Sequence, residues 1–209
     1  MSDIEIIGVE QGTPEWIELR LGLPTASNFH RVLAGGEGKV RSEYLRKLAG
    51  ETVSRLPREE YRGAAMDRGS EMEPELRALY EIVTGKKPTP IGFVRRKLKS
   101  GFVGASPDAF IGDNGVLEIK SASPHILIDI MQTGKVPPEH LPQTQGALLV
   151  TGREFCDLAI GYTGMPLFRR TIRRDPSYIA RLEVALDAFN EELAAMVAWV
   201  RQYGKDGNQ

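Results

Sequence analysis

Cysteine is almost missing: Cys156 is the single one in 209 residues. One thiol can neither close an internal disulfide nor supply the sulfur ligands of an iron–sulfur cluster, and its place in the apolar run Phe155 to Tyr162 reads as a core thiol. Long apolar runs are missing too. None approaches the roughly 20 residues that span a bilayer, so no membrane helix is expected. The N-terminal MSDIEIIGVEQG lacks a basic segment followed by an apolar core and a cleavage site, so export is not expected and a cytoplasmic location is. Excess charge is absent: 27 Lys and Arg against 28 Asp and Glu leave a formal net charge of −1, which excludes capture of nucleic acid by bulk positive charge. A nucleotide-binding loop is lacking as well, since AGGEGKV has Leu33 where the first glycine belongs and Val40 in place of Ser or Thr; its glycines read as a surface loop. There is no internal repeat, low-complexity tract or linker. What remains, with 41% hydrophobic and 26% charged residues, is the composition of one globular domain over 1–209, with 203–209 as a frayed tail.

Periodicity and punctuation outline the elements. Thr13 followed by Pro14 starts a helix, Gly22 separates it from a second start at Pro24 or Thr25, and a third helix from Arg41 to Arg55 ends at Pro57. The spacing of Met66, Met72, Leu76, Leu79, Tyr80 and Val83 predicts a helix over 65–84, stopped by Gly85. Strand-like PIGFVRRK follows. Helices are expected at Pro124–Thr133 and Pro137–Val150, then a strand pair, Phe155–Tyr162 and Leu167–Arg173, and a last helix from Pro176 to about Tyr203. This order predicts an α/β fold with a central mixed β-sheet flanked by helices. Two basic runs, Arg95-Arg96-Lys97 with Lys99 and Arg169-Arg170 with Arg173-Arg174, fit either phosphate tracking or solvated strand edges.

The chemistry concentrates in SPDAFIGDNGVLEIK, residues 106–120. Asn114-Gly115 between two β-favouring runs, Phe102–Ile111 and Val116–Ile119, predicts an antiparallel hairpin. Alternation puts Val116, Glu118 and Lys120 on one face and lets Asp108 approach Glu118. Charged groups gathered on a sheet face either neutralise one another or hold a divalent cation, and both readings stay open on these residues alone. Likewise Arg20, Thr25 and Ser27, at the end of one helix and the start of the next, form either an anion site or ordinary caps. Glu71 and Glu73 fit the early turns of their helix as dipole-stabilising carboxylates. Gln143 and Gln145 cannot share a helix face, so at most one points at the hairpin.

The series SPDAF, VLEIK and LPQTQGALLVTG, preceded by WIELRLGLPTAS and RGSEMEPELRALYE, resembles the phage-type alkaline exonucleases of the lambda exonuclease or YqaJ viral recombinase family, in the PD-(D/E)xK nuclease superfamily. The resemblance runs to about residue 162. It implies a restriction-endonuclease-like core. Asp108 then matches the PD aspartate, Glu118 and Lys120 the ExK pair, Glu73 rather than Glu71 the helix-borne acid, and Gln143 the glutamine of the following helix, all in catalytic roles. Asp108, Glu118, the backbone carbonyl of Ile119 and Glu73 match metal ligands for two Mg²⁺ ions, with Mn²⁺ able to substitute. Arg20, Thr25, Ser27 and Ser106 match a 5′-phosphate pocket. Ala109, where the family often has glycine, is a departure with no consequence for the ligands.

The activity so implied is digestion of one strand of linear double-stranded DNA from its 5′ end, leaving a 3′ overhang for strand annealing. Lys120 would position or deprotonate the attacking water from a lowered pKa and offset charge on the phosphate. A homotrimeric ring and a phage single-strand annealing protein as partner are further implications, for a phage or prophage protein of the bacterial cytoplasm. The alternatives are an endonuclease or repair nuclease of the same superfamily, which would cut closed circles, and a catalytically inert DNA-binding ring, which would bind without turnover.

Overall fold

The structure, a computed structural model, describes residues 3–34, 38–57 and 64–203. The glycine loop at 35–37, the tail at 204–209 and the side chain of Met66 lie outside the described residues.

Thr13 caps α1 (Pro14–Arg20): its hydroxyl accepts from the Trp16 N–H at 3.3 Å, and Pro14 takes the first position. Gly22, at φ +67°, turns the chain. The second start is a 3-10 turn, Ala26–Asn28, leading into α2 (Phe29–Leu33), and the Thr25 hydroxyl makes no capping bond. The cap reading of Thr25 is thereby removed. α3 (Lys39–Ser54) stops at Arg55, in the left-handed region at φ 59°, before Pro57 is reached. α4 (Ala64–Thr84) ends at Gly85, φ +67°. It buries Leu76 and Tyr80, whereas Val83, expected in the same stripe, is 58% exposed because nothing described covers the last turn.

The strands are β1 (Ile4–Ile7), β2 (Thr89–Pro90), β3 (Phe93–Lys97), β4 (Phe102–Ala105), β5 (Ala109–Ile111), β6 (Gly115–Ser121), β7 (Phe155–Gly161) and β8 (Phe168–Arg173). β1, β3 and β4 form an antiparallel sheet. The other five form a mixed sheet in the order β2-β5-β6-β7-β8, in which β6 and β7 run parallel and the remaining pairs antiparallel. A parallel neighbour requires a crossover, here through α5 (Pro124–Thr133) and α6 (Leu141–Thr151). α7 (Pro176–Tyr203) closes the chain.

Two expectations about the hairpin are corrected. The run Phe102–Ile111 is not one strand. Pro107 has no N–H to give to a ladder, and the chain leaves the small sheet after β4 and enters the large one at β5. Nor does Asn114-Gly115 make the turn by positive φ: Gly112 does, at +52°, while Gly115 already belongs to β6. A Cβ on Gly115 would stand 2.3 Å from the Phe155 ring, so glycine is required there by close packing.

β6 places the site. Leu117 and Ile119 pack with Leu76 and Tyr80 of α4, and Val116 joins the core shared by α3, α6 and α7. Alternation then turns Glu118 and Lys120 to the face opposite α4, towards α6. On that side Leu127 and Ile130 of α5 cover Leu158, Ile160 and Phe168.

The basic runs are largely engaged by the protein itself. Arg95 pairs with Glu5 at 2.6 Å, and Arg96 and Arg174 donate to the carbonyls of Leu149 and Leu148 at 2.5 and 2.6 Å. Arg170 donates to the Gly134 carbonyl at 3.0 Å.

Candidate active site

Asp108 precedes β5 and is fixed against β6 twice. Its N–H donates to the Leu117 carbonyl at 3.1 Å, and its carboxylate accepts from the Ile119 N–H at 2.5 Å. Glu118, 2% exposed, accepts from Lys120 at 3.2 Å and from Gln143 of α6 at 2.8 Å. Gln145 faces elsewhere, donating to the Arg173 carbonyl and accepting from the Asp175 N–H. Four of the expected residues therefore meet at one place, drawn from β5, β6 and α6.

Their electrostatics follow from burial. Asp108 is pushed up to about 8, first by burial and then by Glu118 and Glu73, with Lys120 opposing. Glu118 is raised by burial and by Glu73, again against Lys120. For Lys120 burial favours the neutral amine, but Glu118 and Asp108 outweigh it and the net shift is upwards. Where the sequence led to the expectation of a lowered lysine pKa, both carboxylates stabilise the ammonium and the shift is the opposite.

Glu73 comes from α4 and forms an ion pair with Arg77, one turn on; Glu71 is exposed. Among the described residues no three Asp, Glu, His or Cys side chains are gathered as a metal cage. Mg²⁺ does not need one. It keeps several waters and binds through one or two carboxylates together with substrate phosphates. The pair Asp108 and Glu118, with the Ile119 carbonyl alongside, is an all-oxygen donor set whose crowded negative charge a divalent cation would relieve, so the residues fit the metal.

The second group lies on the same chain segment. Ser106 Oγ accepts from Trp16 Nε1 at 2.9 Å and from Arg20 at 3.2 Å, and the Arg20 guanidinium stacks 4.1 Å over the Trp16 ring. Thr25 and Ser27 lie 3.4 Å apart, with Asn28 donating to both hydroxyls. The Tyr44 hydroxyl accepts from the Thr25 N–H at 3.2 Å and feels the Arg20 charge, placing it between the two halves. Trp16, Asn28 and Tyr44 were not singled out in the sequence. In the sequence Trp16 stands only as the first residue of WIELRLGLPTAS and Tyr44 only in the expected third helix, while Asn28 carries no signal.

A cleft of about 930 Å³ is bordered among others by Met72, Ser121, Ile130, His140 and Tyr162, and Asp108, Glu118 and Lys120 do not line it. Burial, and after it Lys120, hold His140 below its ordinary pKa. Nothing in the sequence marked this histidine.

A mixed sheet flanked by helices, with Asp, Glu and Lys collected on adjacent strands, defines the PD-(D/E)xK nuclease class. Within it, the chain belongs to the YqaJ-like viral recombinase family, whose domain matches residues 15–154. It is similar to LHK-Exo, an alkaline exonuclease from Laribacter hongkongensis. The crystal structure of that protein agrees with a TM-score of 0.84 at 33% identity, covering 93% of this chain and 99% of that one. Its complex with dAMP gives 0.85 at 34% identity over the same shares. A phage-related exonuclease from Haemophilus somnus 129PT, 11% identical, shares the fold with a TM-score of 0.63, over 85% of this chain and 96% of that one. No curated protein matches the chain significantly. Family and fold together place the chain among the nucleases.

Proposed function

We propose that the chain is a Mg²⁺-dependent exonuclease that digests one strand of linear double-stranded DNA from its 5′ end and leaves a 3′ single strand. The observation that carries this reading is the adjacency of two sites on one piece of chain. Ser106, bonded by Trp16 and Arg20, stands two residues before Asp108, whose carboxylate is held on β6. Two residues of extended chain reach at most ~7 Å, the scale of one nucleotide. A terminal phosphate held by Arg20, Thr25, Ser27 and Ser106 would present the next phosphodiester to Asp108 and Glu118, so hydrolysis would advance from the end one nucleotide at a time.

Asp108, Glu118, the Ile119 carbonyl and Glu73 would hold two Mg²⁺ ions, or Mn²⁺ in their place. Bound there, the metal supplies a Lewis acid for the phosphate oxygens and lowers the pKa of water. Gln143 and Lys120 hold the Glu118 carboxylate from two directions. Lys120, kept cationic by its neighbours, stabilises charge that develops on the phosphate. Arg20, stacked on Trp16, offers a pre-set fork to the terminal phosphate.

The test is digestion of labelled linear duplex with 5′-phosphate or 5′-hydroxyl ends, beside a closed circle, in Mg²⁺ and in chelator. Phosphorylated ends should be degraded fastest and the circle left intact. Arg20→Ala should abolish the preference between the two ends. Degradation of the circle at the rate of the linear duplex would overturn the exonuclease reading.

The same reading extends to a homotrimeric ring enclosing the DNA and to delivery of the 3′ strand to a phage single-strand annealing protein. A chain of net charge −1 has little bulk attraction for DNA, and enclosure would replace that attraction. A monomer mass by light scattering, with and without DNA, would remove the ring.

A further inference from the structure

Pro74 directly follows Glu73 inside α4. A proline gives no N–H to the carbonyl four residues back, so the Ser70 carbonyl loses its ladder partner and the turn that ends at Glu73 is held by one bond fewer. On the C-terminal side of this break the helix is pinned. Leu76 and Tyr80 are buried against the sheet, and the Tyr80 hydroxyl donates to Asp157 of β7 at 2.5 Å. The same carboxylate takes Lys86 at 2.8 Å and Thr171 at 2.5 Å. Arg77 stands on the pinned side and reaches back over the proline to the Glu73 carboxylate. Its side chain is 23% exposed, its buried Nε has no acceptor among the described residues, and its charge is met by Glu73. Glu73 lies within one turn of Leu76, which packs on Leu117 and Ile119 to either side of Glu118, and its charge helps to raise both Asp108 and Glu118.

We propose that Arg77 is a positioning residue: it holds the Glu73 carboxylate towards Asp108 and Glu118 beside the turn that Pro74 weakens in α4, and so sets how tightly the site takes its divalent cations. The inference rests on the nuclease reading above and on the part of Glu73 in it. Lysine would replace the charge but not the planar fork, so it should serve in part. An i,i+4 pair with solvent access adds little to helix stability, and the fold should survive its loss.

Arg77→Gln, Arg77→Lys, Glu73→Gln and the double variant R77Q/E73Q would be compared with the parent by thermal melting, by Mn²⁺ calorimetry and by Mg²⁺-titrated digestion of 5′-phosphorylated duplex. Arg77→Gln should melt close to the parent and bind Mn²⁺ roughly tenfold more weakly. The Mg²⁺ needed for half-maximal rate should rise by a similar factor, with kcat lowered and KM for DNA unchanged. Arg77→Lys should recover part of the loss. In the Glu73→Gln background Arg77→Gln should do no further harm, since it acts through Glu73. Parental Mn²⁺ affinity in Arg77→Gln, or an added defect in the double variant, would overturn the proposal. A parent that binds Mn²⁺ yet digests no DNA would overturn the nuclease reading instead, with the Mn²⁺ calorimetry still deciding the role of Arg77.

Discussion

Lys120 donates to Glu118 at 3.2 Å and is surrounded by charge of the opposite sign, which keeps it an ammonium against the pull of burial. In the proposed reaction a cation at that place would act on the developing charge of the transition state rather than by taking a proton. Replacing it by methionine keeps the length of the side chain and removes the charge. Lys120→Met should lower the single-turnover cleavage rate by about 10²–10³-fold while DNA affinity changes little. A rate close to that of the parent would show that the lysine is only structural. Arg20 illustrates what one residue can hide. Its sequence position at a helix end pointed to an anion site, but its stacking on Trp16 and its bond to Ser106, 86 residues away, came from the fold.

α4 is the element whose placement matters most, because it carries Glu73 at its middle and is anchored nearer its C-terminal end through Tyr80. Asp157 is fully buried, yet its pKa is lowered: burial acts upwards, and the bonds from Lys86, Thr171 and Tyr80 outweigh it. A folded value below the unfolded one means stability that is present above about pH 4 and is lost as pH falls through the lowered value. Tyr80→Phe removes one of those donors and should cost about 1–3 kcal/mol near neutral pH. The cost should shrink in acid as Asp157 protonates, which denaturant titrations at a series of pH values would read. A loss that is the same at every pH would put it down to packing alone. α6 gives a second case. A Cβ on Gly146 would lie 2.5 Å from the Phe29 ring, so Gly146→Ala should destabilise by about 1–3 kcal/mol, measured by thermal melting, although the helix itself favours alanine. The helix starts and stops were legible in the sequence because caps, proline and glycine act within one turn. The split of Phe102–Ile111 was not, because an apolar run does not say which sheet will take each half.

For the whole molecule the buried carboxylates of the candidate site make stability depend on pH. Asp108 at about 8 and Glu118, also raised, hold their protons more tightly folded than unfolded. Such groups favour the folded state fully at low pH, and that contribution is lost as pH rises from about 4 through the folded values. The chelated protein should therefore melt at progressively lower temperature between pH 5 and 8, and Mg²⁺ should reverse the trend most strongly at the alkaline end. Mg²⁺ at about a hundred times its dissociation constant would add roughly 2.7 kcal/mol. Scanning calorimetry with and without Mg²⁺ measures both effects, and an equal melting temperature in the two conditions at pH 8 would count against a metal site. Among the described residues no helix is long and apolar enough to cross a membrane.

The stretch Ser106 to Lys120 shows how the two sources of information divide. Motif spacing and strand alternation determined by themselves that Asp108, Glu118 and Lys120 would share a neighbourhood, and caps and periodicity determined the helices around it, because these signals act between residues a few positions apart. The tertiary structure decided the rest. It brought Gln143 rather than Gln145 to Glu118, sent β4 and β5 into different sheets on either side of Pro107, set Trp16 on Ser106, Tyr44 on Thr25 and Arg77 on Glu73, and closed Tyr80 of α4 on Asp157 of β7. Contacts such as Tyr80 with Asp157, 77 residues apart, form only when burial of the core offsets the entropy of closing long loops, and no local pattern records that balance.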